Sequence, residues 1–319
     1  MNFSLQAAEI SGTVQLKNHG VIRATGADAD QFLQGQLTQD VTRLDSAQAS
    51  LAAFCNAKGR MQASFVVFRS SADDLLLICS RDLIAATVKR LSMFVMRAKV
   101  TLLDASDEFV LYGAAGSAVQ SLAGCSGAPW TKVDLTGAAL VFLYPGAGRQ
   151  RALWCAPAGS AAPGGPALEL ETWNWLEVQS GVALVTQPIF EAFVPQMLNY
   201  ESVDGVNFKK GCYPGQEIVA RSQFRGTLKR RAYLVHSGSN AGLGVGQAVF
   251  HAQEADQPCG MVAASAANPA GGFDAIVSLQ TAAAADALAH PGAARLMAGH
   301  VHGPTLALLP LPYLLREDI

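Results

Sequence analysis

No C-x-x-C pair occurs among the six cysteines, which stand at positions 55, 79, 125, 155, 212 and 259. A resident iron–sulfur cluster takes about four cysteines at close spacings, so the chain has no self-sufficient cluster motif. In a reducing compartment the six are expected to be free thiols and not a disulfide framework. No apolar run approaches the ~20 residues of a membrane span, and Met1 to Glu9 lacks the basic start and apolar core of a signal peptide. A cytoplasmic protein with no membrane partner is the expectation. Neither G-x-x-x-x-G-K-[ST] nor H-E-x-x-H occurs, and Gly242-x-Gly244-x-Gly246 lacks the strand–turn–helix setting of a dinucleotide loop. His300-Val301-His302 sets two imidazoles on one side of a short strand with no third ligand, so no metal site is expected. Charged residues are scarce, at 15% with a formal net of −2, whereas half of the 319 residues are hydrophobic. That balance excludes a disordered chain and suffices for two or three domains with a buried core.

What is present reads as α+β. Strands are expected over 13–16 and 21–24 around the turn Lys17-Asn18-His19-Gly20, followed by a helix capped by Asp28 with Phe32, Leu33 and Leu37 on one face. Residues 51–55, 62–68 and 75–79 read as strands with a turn at 56–60; 83–96 is helical by periodicity, and 100–103 and 108–112 return to strand. A Gly/Pro/Ala/Ser loop fills 156–167, and a helix with Trp173, Trp175, Leu176 and Val178 runs over 169–181. Beyond residue 230, short strands separated by glycines (233–236, 248–250, 259–265, 275–279) suggest a small β-barrel or sandwich, with an alanine-rich helix over 282–289. Helices alternating with hairpins argue against a doubly wound parallel sheet.

The most informative stretch is Phe208-Lys209-Lys210-Gly211-Cys212-Tyr213-Pro214-Gly215-Gln216-Glu217-Ile218-Val219-Ala220-Arg221. Pro214 suits the first turn of a helix continuing through Arg221, which would set Cys212 at the positive end of the helix beside two ammonium groups. A thiol so placed is expected to titrate below its free value of about 8.5, against the alternative that it is an inert, buried small hydrophobe. From Lys209 to Arg231 there are seven basic residues against Glu217 alone, a stretch suited to phosphate, a polyglutamate tail or an acidic partner, or else a solvated basic face. Aromatic neighbours are few (Tyr213, Phe224, Tyr233), which makes nucleic acid an unlikely ligand by single-strand stacking.

The string from Lys209 to Arg221 resembles the signature of the YgfZ-type folate-binding proteins, relatives of the glycine-cleavage aminomethyltransferase that support iron–sulfur enzymes. Asp28 to Val41, Lys58-Gly59-Arg60, Phe193 to Asn199 and Leu311-Pro312-Tyr313 resemble further landmarks of that family. The resemblance implies a GcvT-like three-domain arrangement: two interleaved α+β domains over 1–230, then a C-terminal β-barrel over 231–319. It also implies tetrahydrofolate or a one-carbon derivative as cofactor, in a cleft whose candidate lining is Lys58, Gln179, Gln196, Asn199 and Arg221. Cys212 becomes the reactive centre and Lys210 the group that holds it as thiolate. Lys209, Gly211, Tyr213, Gly215, Gln216 and Glu217 complete the motif, with Gly211 and Gly215 admitting close backbone approach.

Two departures weigh against glycine-cleavage activity. The strand that carries an aspartate beside the folate in the transferases reads Arg60-Met61-Gln62-Ala63-Ser64-Phe65 here, with no carboxylate to move a proton, a contribution often worth about 10²–10⁴-fold. The pterin-gripping glutamate ahead of a helix-end glycine is replaced by Gln179, and Glu177, two residues away, does not share its helix face. The implied function is a folate-binding accessory protein for assembly or repair of iron–sulfur clusters. Its partners are assembly proteins or client enzymes, with a cluster held transiently between the two. A folate-dependent one-carbon (aminomethyl or methyl) transferase with altered chemistry is the alternative, and a non-catalytic scaffold docking through Lys229, Arg230 and Arg231 is a third. Whether the chain is an enzyme stays open on these residues.

Overall fold

The computed structural model describes residues 10–224, 228–291, 293 and 295–316; residues 1–9 and Arg225 lie outside the described residues. In chain order the first elements are β1 (Gly12–Gln15), β2 (His19–Thr25), α1 (Ala29–Gln34), β3 (Ala49–Cys55), β4 (Met61–Ser71), β5 (Asp74–Ser80), α2 (Ile84–Ser92) and β6 (Thr101–Asp104). Then come β7 (Phe109–Ala115), α3 (Ser117–Ala123), β8 (Lys132–Leu135), β9 (Ala138–Gly146), β10 (Arg149–Pro157), α4 (Leu170–Gln179) and α5 (Gln216–Phe224). The C-terminal elements are β11 (Arg230–Ser237), β12 (Ala248–His251), β13 (Glu254–Ala267), β14 (Phe273–Gln280), α6 (Thr281–Ala289), β15 (Leu296–Ala298) and β16 (Thr305–Leu309).

The strands form two five-stranded sheets, β3-β4-β5-β2-β6 and β1-β7-β10-β9-β8, and a closed six-stranded barrel, β11-β14-β13-β12-β15-β16. The fold is therefore mixed α+β with a C-terminal barrel. β1 and β2 stand three residues apart and read as a hairpin, yet they belong to different sheets. β1 pairs antiparallel with β7, and β2 pairs with β5 and β6. Turn chemistry at 17–20 marks a reversal, and only the long-range pairing decides what each strand joins. β3, β4 and β5 are buried on both faces, which explains why they read as continuous apolar runs and not as alternating ones.

Asp28 precedes α1, but its carboxylate makes no cap hydrogen bond to the helix; Oδ2 instead accepts from the Lys99 backbone N–H at 2.6 Å. β8, β9 and β10 escape the sequence reading because their turns at Thr136-Gly137 and Ala147-Gly148 are short and their faces mixed. The helical periodicity of 83–96 ends at Ser92, after which Met93, Phe94 and Met96 continue it with exposed side chains.

α4 lies at the junction of the units. Trp173 is fully buried over β7, where Gly113 leaves the needed space: a Cβ there would sit 2.6 Å from the indole. From the other side of α4, Trp175 Nε1 and Gln179 Nε2 each donate to Asp274 Oδ2 at 2.7 Å. Asn268 Nδ2 adds a third donor at 2.8 Å, and His236 Nδ1 meets Oδ1 at 2.7 Å. Asp274 is buried, so these bonds replace its hydration. Asp274→Ala strands the Trp175 and Gln179 donors and is expected to cost about 2–4 kcal/mol, read as a lower urea midpoint; Gln179→Ala, which removes one donor and leaves Oδ2 its bonds from Trp175 and Asn268, should cost less than half as much.

Candidate functional site

Four segments converge on the cysteine loop. Thr38, after α1, donates its hydroxyl to the Gly205 carbonyl (2.7 Å) and accepts from Ala53 N–H of β3 (2.8 Å). Gln39 Nε2 donates to the Asp204 carbonyl at 2.5 Å. The Lys210 ammonium is buried at the C-terminal end of α1, donating to the carbonyls of Gln34 and, at 2.5 Å, Leu37. It caps carbonyls that the short helix leaves free and lies 4.9 Å from the Tyr213 ring centroid. Burial pulls the Lys210 ammonium down to about 8, against the opposite pull of Asp40 and then Cys212.

The far side of the loop rests on the turn between β3 and β4. Asn56 Oδ1 accepts from the N–H groups of Lys58 and Arg60, at 2.9 and 3.1 Å. Gly215, at φ +78°, packs against that turn so closely that a Cβ would lie 2.4 Å from the Asn56 carbonyl oxygen and 2.6 Å from Gly59. This left-handed glycine, which no proline could replace, starts α5 at Gln216 and leaves Pro214 outside the first helical turn. Gly211 has open space where its Cβ would be, so close approach is needed at Gly215 and not at Gly211. Cys212 is exposed between the two anchors.

The other motif and cleft residues disperse. Lys58 and Lys209 are exposed. Arg221 faces solvent on α5, paired with Glu217 at 2.6 Å. Gln196 is buried and donates to the Val219 carbonyl (2.6 Å). Asn199, also buried, bonds the backbone of Ala232 in both directions, at 2.8 and 3.1 Å. Gln216 donates its N–H to the Tyr213 carbonyl (3.2 Å). Three of the five candidate cleft residues are engaged elsewhere: Gln179 is committed to Asp274, while Gln196 and Asn199 brace backbone. The basic stretch is likewise spent internally in part. Arg230 donates to the Cys259 carbonyl (3.0 Å), and Arg231 pairs with the buried Glu201 (2.8 Å). Burial pushes Glu201 up while Arg231 pulls it down.

A cavity of about 230 Å³ opens instead where the β3-β4-β5-β2-β6 sheet, α4 and the barrel meet, lined by His19, Ser80, Glu177, Thr186 and Ala263 to Ser265. Glu177 Oε1 lies 3.4 Å from Arg151 Nη2 and 3.9 Å from His19 Nε2. Arg151 is buried with its guanidinium 4.4 Å from the Trp173 ring, and burial pulls it down to about 10 against the opposing pull of Glu177. Burial also lowers His19, which favours neutral imidazole. Thr186 Oγ1 has no partner among the described residues. The sequence reading passes over Glu177 because, two residues from position 179, it does not share that helix face. In the helix, the two-residue offset turns 177 to the cavity and 179 to the barrel. Strand positions Ala63 and Ser64 are fully buried, and the Ser64 hydroxyl accepts from the Val185 N–H (2.8 Å), leaving no room there for a ligand. His300 and His302 fall in a turn, not on a strand.

Two outcomes follow from this geometry. Cys125 and Cys212 are exposed, whereas burial pushes Cys55 and Cys155 up to about 12 and Cys259 to about 11, and raises Cys79 as well. Native protein is expected to show two fast thiols toward a maleimide reagent, and Cys212→Ser one, with the rest reacting only after denaturation. For Lys210, a lowered folded-state value means that the unfolded chain binds more protons between about pH 8 and 10.4. Its contribution to stability therefore rises with pH across that window. The buried cysteines act oppositely, so the diagnostic quantity is the unfolding free energy of wild type minus that of Lys210→Met, which should grow from pH 8 to 10. A flat difference would place the ammonium in solvent.

No family model matches this chain. The chain superposes over 95% of its length on 86% of the glycine cleavage system aminomethyltransferase T from Bartonella henselae, with a TM-score of 0.58 at 16% identity, a likeness of fold. Among curated proteins, the tRNA-modifying protein YgfZ of Cronobacter sakazakii is 32% identical over 239 residues, covering 71% of each chain. The protein of that name from Klebsiella pneumoniae is 36% identical over 225 residues, covering 66% of this chain and 67% of its own. Identity of that depth over that span makes this chain a member of the YgfZ family.

Proposed function

We propose that the chain is a tetrahydrofolate-binding accessory protein for assembly or repair of iron–sulfur clusters, with Cys212 as its working thiol. The observation that carries the reading is the exposure of Cys212 on a loop braced at both ends, by the Lys210 ammonium on α1 and by Gly215 on the β3–β4 turn. A braced, exposed thiol suits transient ligation: as thiolate it gives its lone pair to iron without reorganising the loop. In this reading the remaining cluster ligands come from the partner, since four of the other five cysteines are buried away from the surface.

The donor set of the cavity fits a reduced pterin. Glu177 offers carboxylate oxygens to amino and ring N–H donors, neutral His19 and the unpartnered Thr186 hydroxyl supply further hydrogen bonds, and Val178, Val182 and Leu184 contribute apolar lining. Bound folate would supply one-carbon or redox chemistry; the residues here bind and orient it. The closed packing at Ala63 and Ser64 speaks against the transferase alternative, because no acid–base group reaches a ligand from that strand. The curated relatives are named for tRNA modification, and in this reading the modification is performed by a cluster-dependent client acting on tRNA.

Glu177→Ala is expected to weaken tetrahydrofolate binding by about tenfold or more, while Gln179→Ala lowers stability with little effect on affinity. In a deletion strain, wild type should restore cluster-dependent enzymes and tRNA modification, and Cys212→Ala should restore neither, with glycine-cleavage flux unchanged throughout. Full rescue by Cys212→Ala defeats the reading; loss of one-carbon flux alone supports the transferase.

A further inference from the structure

The end of α2 carries an apolar surface that the folate and thiol sites do not use. Met93 and Met96 are 64% and 89% exposed, beside exposed Phe94 and, from the segment after α4, Phe190. Met93 and Phe190 border a groove of about 270 Å³ that reaches inward to the buried Phe54 of β3. Large apolar side chains gathered around a recess on a surface are the mark of an interaction site, and methionine adapts to the shape of what it meets.

The charges that line the groove are of one sign. Lys89 and Arg90 line it, Arg97 and Lys99 follow in the exposed segment, and no Asp or Glu occurs between Asp82 and Asp104. One carboxylate stands at the edge: Glu191 follows Phe190 in the chain and is engaged by Gln62, whose Nε2 donates to it at 2.7 Å. Arg90 lies 5.3 Å from the Phe94 ring centroid, which leaves its cation next to the apolar surface.

We propose that this groove receives an amphipathic helix of a partner protein, with one apolar anchor reaching toward Phe54 and Asp or Glu residues flanking it. A recess suits a side chain projecting from a helix, as in other helix-in-groove contacts. A lipid surface would meet the protruding methionines and leave the recess unfilled. A second copy of the chain would oppose the groove with the same positive charge. The position also relates the groove to the thiol: Phe54 is two residues from Asn56, whose carbonyl abuts Gly215 beside the cysteine loop. A helix seated here lies at the same end of the β3–β4 hairpin as Cys212. The proposal does not depend on folate binding or on the chemistry of Cys212.

The test uses the full chain and a fluorescein-labelled helical peptide of about five turns, with Leu and Phe on one face and Glu elsewhere. Its controls are a twin with every Glu changed to Lys and vesicles of phosphatidylglycerol and phosphatidylcholine. The glutamate peptide is expected to bind saturably by fluorescence anisotropy, and the lysine twin about tenfold more weakly or worse. Phe190→Ser and Arg90→Glu alter exposed side chains; each should weaken binding about fivefold or more with the urea midpoint unchanged. Absence of saturable binding, or equal binding of both peptides, overturns the proposal. So does flotation with anionic vesicles abolished by the same variants, which assigns the surface to membrane. Concentration-dependent dimerisation abolished by them overturns it in favour of a second copy.

Discussion

Asp274 accepts hydrogen bonds from four side chains drawn from α4, β11 and the loop between β13 and β14, and the arrangement of the functional surfaces depends on that convergence. A buried carboxylate with several donors is stable only while its partners hold their places. It thus fixes the rotation of α4 about its own axis. With Gln179 and Trp175 turned to the barrel, Trp173 falls over Gly113 and Glu177 onto the cavity. The direction in which the Glu177 carboxylate faces the cavity is in this sense set by the carboxylate of Asp274.

The same logic separates what the sequence makes legible from what it hides. The cysteine string and the landmarks at 28–41, 58–60 and 193–199 identify the fold and pick out the loop, because their local chemistry is what the packing uses: Lys210 on the carbonyls after α1 and Gly215 against Asn56 and Gly59 brace the loop that carries Cys212. Helix faces are harder to read from one sequence. Gln179 stands where a spacing rule expects the pterin grip, but Asp274 lies 95 residues further on and nothing local announces it. Arg151 and His19 are isolated residues at strand ends, and only the meeting of two sheets makes them neighbours of Glu177. Gln196 and Asn199 read as binding residues because they are polar in a family landmark, whereas their amides satisfy backbone at the entrance to α5 and β11.

Charge shows a parallel gap between sequence and space. The basic stretch after Lys209 reads as one patch, yet Lys210, Arg230 and Arg231 are each turned inward to carbonyls or to a buried glutamate. The shorter basic run around α2 attracts no notice by count, but its cations stay outside beside apolar side chains. Accessibility, which a running charge total cannot register, decides which of the two surfaces a partner meets.

The separation between α4 and Asp274 also bears on how the chain is made. On the ribosome, the sheet β3-β4-β5-β2-β6 has all its strands once Asp104 has emerged, and the second sheet once Pro157 has. α4 then docks one face on finished sheet while Trp175 and Gln179 wait for a partner 95 or more residues away. Until the barrel is synthesised, that face is an open wound in an otherwise ordered nascent protein, the kind of interval in which holding factors act and from which aggregation starts.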